Sequence, residues 1–146
     1  MTEMTGEAQA LLTGLKEEAG LYTRILSLSA EELQLVKEAE LEKATAALSL
    51  KQRQLDQIGE IENRLRPAKE RWQDIKAGLP PASVQSFQAV LRELSVLLER
   101  LIAIERETED TLSKQIAIVR KGIPVAAAEE RARRIYGAQK EGKRKD

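Results

Sequence analysis

From Leu12 onward, apolar residues recur at Leu12, Leu15, Ala19, Tyr22, Leu26, Leu33 and Val36, a three-four spacing that only Ser29 interrupts. Such spacing places the series on one face of a helix, spanning about residues 7–37. Beyond Val36 the next positions of that face, Glu40 and Lys43, are charged, and the apolar series resumes one residue later at Leu41, Ala44, Leu48, Leu55, Ile58 and Leu65. A slipped seam means either a helix that runs on while its stripe drifts or a chain that turns back. Run on from Glu7 to Ala77, the helix would be a rod of roughly 100 Å, and the remaining chain would cover about half of it. A reversal between Val36 and Leu41 instead gives two helices of matched length, so the sequence predicts a second helix over about 40–77. Ser29-Ala30-Glu31-Glu32 has the form of a capping box. Because Leu33 and Val36 continue the earlier seam, it reads as surface of an uninterrupted helix.

Pro67 removes an amide and disfavours helical backbone at Arg66, so a kink is expected there. The strongest boundary is Ala77-Gly78-Leu79-Pro80-Pro81-Ala82-Ser83, with a glycine to end one helix, prolines that cannot continue it and Ser83 as the next N-cap. Trp72 and Phe87 flank this connection and are expected to pack together. The third helix, about 83–121, carries the broadest stripe, Val84, Phe87, Val90, Leu91, Leu94, Leu97, Leu98, Leu101, Ile102 and Ile104. That breadth implies contact with more than one helix, with Leu94, Leu98 and Leu101 in the core. A short helix over 124–136 and a polar, mobile tail over 137–146 complete the expectation. The predicted fold is all-α, a single domain over 1–146 built as an up-and-down bundle of three long antiparallel helices with a short C-terminal helix.

Composition narrows the chemistry. The 24 basic and 24 acidic side chains cancel, which removes the global attraction a nucleic acid or anionic membrane would exert. Histidine and cysteine are both absent, leaving no disulfide, no thiolate and no common transition-metal ligand. No catalytic residues, metal site or cofactor are expected. The N-terminal residues carry no positive charge and no long apolar run, and nothing approaches the ~18 apolar residues of a membrane span, so a cytoplasmic protein without membrane insertion is expected.

The acidic pairs Glu17-Glu18, Glu31-Glu32 and Glu129-Glu130 read as solvated helix faces, because a carboxylate-lined metal bundle would also need histidines. The apolar series Ile116, Ile118, Val119, Ile123, Val125, Ile135 and Tyr136 outruns the helices available to cover it. It leads into a stretch, Arg131 to Lys145, with Glu141 as its only acid. A partner helix laid on Ile116, Val119, Ile123 and Val125 would bring its acidic residues to Arg131, Arg133 and Arg134. Two other uses of this series stay open here, folding back on the bundle end and forming a homo-oligomer, as a self-associating coiled-coil or scaffold protein would.

Tyr22 with Leu26 and Leu28, Glu32-Leu33, Ala39-Glu40-Leu41-Glu42-Lys43, Lys51 with Leu55 and Ile58, Ile61-Glu62, Arg64 to Arg66, and Tyr136-Gly137-Ala138-Gln139 occur in an order that resembles the FlgN-type flagellar export chaperones. That family commonly has a glycine-aspartate where this chain has Ala39-Glu40. The resemblance implies a type III secretion chaperone in the bacterial cytoplasm. Its clients would be the hook-filament junction (hook-associated) proteins, bound by a terminal amphipathic helix, kept from premature assembly and delivered to the export gate. It also implies a role for Tyr136 in docking to that gate.

Overall fold

In a computed structural model that describes residues 4–122 with Arg133 and Arg134, and only the backbone of residues 119–122, every element is a helix. They are α1 (Gly6–Lys37), α2 (Leu41–Glu70), α3 (Trp72–Ala77) and α4 (Pro81–Gly122). The expected helix over 124–136 and tail over 137–146 fall outside the described residues, save for Arg133 and Arg134, which are helical and exposed.

α1 opens on Thr5, whose hydroxyl accepts a hydrogen bond from the Ala8 amide at 3.1 Å. It is the central element, and both α2 and α4 pack along it, whereas α2 and α4 barely approach each other. Its buried residues therefore cover two flanks, including Leu11, Leu12, Leu15, Glu18, Ala19, Ile25, Leu33 and Val36. Gly14 lies where α1 and α2 approach closely, since a Cβ there would stand 2.5 Å from a Leu65 methyl.

The reversal after Val36 takes place without glycine or proline. Ala39 adopts φ 58°, the Glu40 amide donates to the Leu35 carbonyl at 2.8 Å, and the Ala39 amide donates to that of Val36 at 3.0 Å. This is the hydrogen-bond pattern of a Schellman turn, with alanine in the left-handed position that glycine usually fills. The Gln115 side-chain amide on α4 also donates to the Val36 carbonyl, tying the turn to the third long helix.

α2 does not yield at Pro67. The proline lies inside the helix with Pro67 and Asn63 both exposed, so the carbonyl left without an amide partner can be met by water. The break comes one turn later at Arg71 (φ −100°, ψ 16°), and α3 is a separate short helix. Ser83 is not an N-cap either. α4 starts two residues earlier with Pro81 as its first residue, a position where the missing amide has no partner to lose. Across this connection Trp72 and Phe87 pack as expected, ring centroids 5.1 Å apart and planes tilted by 52°.

The breadth of the α4 stripe has a different meaning from the one its sequence suggests. Only one edge, Phe87, Val90, Leu94 and Leu97, is buried against α1, and Leu101 is half-buried. The adjacent edge is open, with Leu91 45%, Leu98 39% and Ile102 50% exposed. Leu98 is therefore not a core residue, because no described helix packs against that side of α4.

Candidate functional site

Where α2 and α4 stand apart, α1 forms the floor of an open groove of about 530 Å³ between them. Leu11, Leu15, Glu18 and Tyr22 follow one another at four-three-four spacing along that floor. Glu62 and Lys69 line the α2 side, Trp72 closes one end, and Phe87, Leu91, Leu94 and Leu98 form the α4 wall. Leu11 to Tyr22 and Phe87 to Leu98 each span eleven residues, so the trough is about 16 Å long, or roughly three helical turns. An apolar trough of that length, open to solvent, has the form of a receptor for a partner's helix.

Its one buried polar group is Glu18, 3% exposed. Lys69 Nζ stands 3.9 Å from Glu18 Oε1 but donates its hydrogen bond to Glu62 Oε2 at 2.9 Å. Glu18 Oε1 consequently has no hydrogen-bond partner. Burial pushes the Glu18 carboxyl above its ordinary value, Lys69 opposes that shift, and Glu62 reinforces it. The Tyr22 hydroxyl is raised as well, by burial and then by Glu18 and Glu62.

A second polar cluster lies further along the bundle. Lys51 Nζ donates to Glu32 Oε1 at 2.7 Å and also to Glu105 Oε1, which accepts from the Ser29 hydroxyl at 3.1 Å. Ser29, Glu32 and Lys51 are buried, so one residue or more from each of α1, α2 and α4 meets in a polar layer. It separates the main core, which ends with Ile25 on α1, from a smaller apolar group of Leu33, Val36, Ala44, Ala47 and Leu48.

Both clusters correct the sequence reading of two of the acidic pairs, the third, Glu129-Glu130, lying outside the described residues. Glu17 and Glu31 are exposed, but Glu18 and Glu32 are buried, and Ser29 and Glu32 are neither surface nor a cap. The signal was register: Glu18 stands between Leu15 and Tyr22 on the spacing that carries the floor.

Of the residues expected to meet a partner, Ile116 is half-buried on α4, where that helix passes the end of α1, and the neighbouring Ile118 is 69% exposed. The Val119 side chain and Ile123, Val125, Arg131 and Tyr136 lie outside the described residues. Among the described residues no three acidic, histidine or cysteine side chains gather where a metal ion would bind, and no helix is long and apolar enough to cross a membrane. Compared with known protein families, curated proteins and solved structures, the chain matches none of them.

Proposed function

We propose that this chain is a non-catalytic carrier that holds a partner protein's amphipathic helix, acting as a flagellar export chaperone of the FlgN type in the bacterial cytoplasm. The observation that supports this reading best is the groove between α2 and α4, three turns long, with Leu91 and Leu98 turned open to solvent on its wall. A junction protein's terminal helix, which would self-assemble if left free, is covered by such a groove reversibly and without chemistry. Apolar burial at about 25 cal/mol per Å² supplies the affinity, and no nucleotide or metal takes part. Delivery to the export gate through Tyr136 belongs to the same proposal and rests on the family resemblance alone. The set Ile116, Val119, Ile123 and Val125 with Arg131, Arg133 and Arg134 is a second contact for the same client.

Calorimetry with the terminal helix of a hook-associated junction protein tests the proposal. The full chain is expected to bind one peptide, and Leu98→Glu to weaken binding at least about tenfold, or 1.4 kcal/mol, with its helical circular dichroism retained. Full affinity in Leu98→Glu together with loss on truncation after Arg120 would move the client to the Ile116 stretch. An absence of binding, with sedimentation as a dimer, would favour a self-associating scaffold.

A further inference from the structure

The groove has a chemical preference that its apolar walls do not set. Two carboxylates, Glu18 and Glu62, face one ammonium, Lys69, and Lys69 gives its hydrogen bond to Glu62. The buried Glu18 oxygen is thus left without a donor in the middle of the floor, one helical turn from Leu15 on one side and from Tyr22 on the other. A purely aliphatic helix seated there would leave that oxygen, already shut off from water, still without a donor and so gain nothing from it. An acidic residue at the same place would add a third carboxylate. A lysine or arginine would give Glu18 its missing donor and balance the surplus negative charge, with the longer side chain's aliphatic stem lying along Leu15 and Tyr22.

Resting on the helix-carrier reading above, we infer that the groove selects a partner helix whose apolar face carries one basic residue, placed at its centre to meet Glu18. Glu18 is then a specificity-determining residue: the walls fix where a helix lies, and Glu18 fixes which helix and in which register. In keeping with that reading the occupant is a segment of another protein, whose apolar face complements the leucine walls and whose single cation complements the surplus carboxylate at Glu18.

The test uses the full chain and synthetic amphipathic helical peptides of about four turns, identical except for a central lysine, leucine or glutamate on the leucine-rich face. Trp72, the sole tryptophan, lines the groove and reports binding by its emission. The lysine peptide is expected to bind at least about tenfold more tightly than the leucine or glutamate peptide, and Glu18→Gln to reduce that preference to below about threefold. Glu18→Gln removes a buried charge and should remain folded, which circular dichroism checks. Equal affinity of the lysine and leucine peptides would overturn the specificity while leaving the groove as a helix receptor. Failure of every peptide to change Trp72 emission would overturn the helix-carrier reading as well. A dimer of the peptide-free chain that Leu98→Glu dissolves would assign the groove to a second copy and also overturn the proposal.

Discussion

Lys51 on α2 and Glu32 on α1 form an ion pair of 2.7 Å whose two side chains are 4% and 2% exposed, and the same ammonium reaches Glu105 on α4. One residue thereby joins three helices at the level where the core divides. Two charges taken out of water gain little net stability from each other, but removing one partner leaves the other buried and uncompensated. Lys51→Met is expected to lower stability by about 3 kcal/mol in urea unfolding. Replacing Glu32, Lys51 and Glu105 together by leucine or methionine should recover most of that loss. A single substitution that costs under about 0.5 kcal/mol would show that the layer is hydrated instead.

The left-handed backbone at Ala39 gives a prediction of opposite sign. An L-residue at φ 58° is strained by its Cβ, and glycine is not. Ala39→Gly should raise stability by about 0.5 to 1 kcal/mol, after allowing for the greater freedom of glycine in the unfolded chain. A lowered urea midpoint would contradict the turn geometry.

Along α4 the two edges of one stripe should separate in their response to truncation. Phe87→Ala and Leu94→Ala remove buried side chains and are expected to cost about 3 to 5 and 2 to 5 kcal/mol. Leu98→Ala, on the open edge, should cost under about 1 kcal/mol, because much of its area is already in water. A loss at Leu98 equal to that at Leu94 would mean that the groove is closed in the free protein.

Glu18 governs a pH dependence. Its folded carboxyl binds a proton more tightly than the unfolded one, whose ordinary value is 4.5. Its contribution is therefore most favourable below pH 4.5 and is lost as pH rises through the folded value. Glu18→Gln should be more stable than the parent at pH 7, by on the order of 1 kcal/mol, and the difference should shrink toward pH 4. A difference that is constant with pH, or that grows on acidification, would place Glu18 in a hydrated or paired state.

Much of this architecture is legible in the residue pattern, because the seam slip after Val36, the glycine-proline break after Ala77 and the Trp72 to Phe87 clasp each follow from a local rule. The turn at Ala39 could not be located that way, since an alanine carries no signal for left-handed backbone. The site was harder for a different reason. Ser29 and Lys51 occupy seam positions where periodicity registers only an interruption, Glu18 and Glu32 stand one residue beside the seam, and whether such a position faces water or a buried partner depends on helices far away in sequence. The stripe on α4 was correctly wide, but width alone does not say whether the chain itself supplies the second helix. Leu91, Leu98 and Ile102 remain open because α2 stands too far off to cover them.

Whether the groove between α2 and α4 receives a partner's helix can be read residue by residue by methyl NMR of the leucine and isoleucine side chains. On addition of a junction protein's terminal helix, the methyl signals of Leu11, Leu15, Leu91 and Leu98 should shift together and saturate at one peptide per chain, while those of Leu33 and Leu48 stay in place. Shifts confined to Ile116 and Ile118, with the groove leucines unmoved, would contradict it.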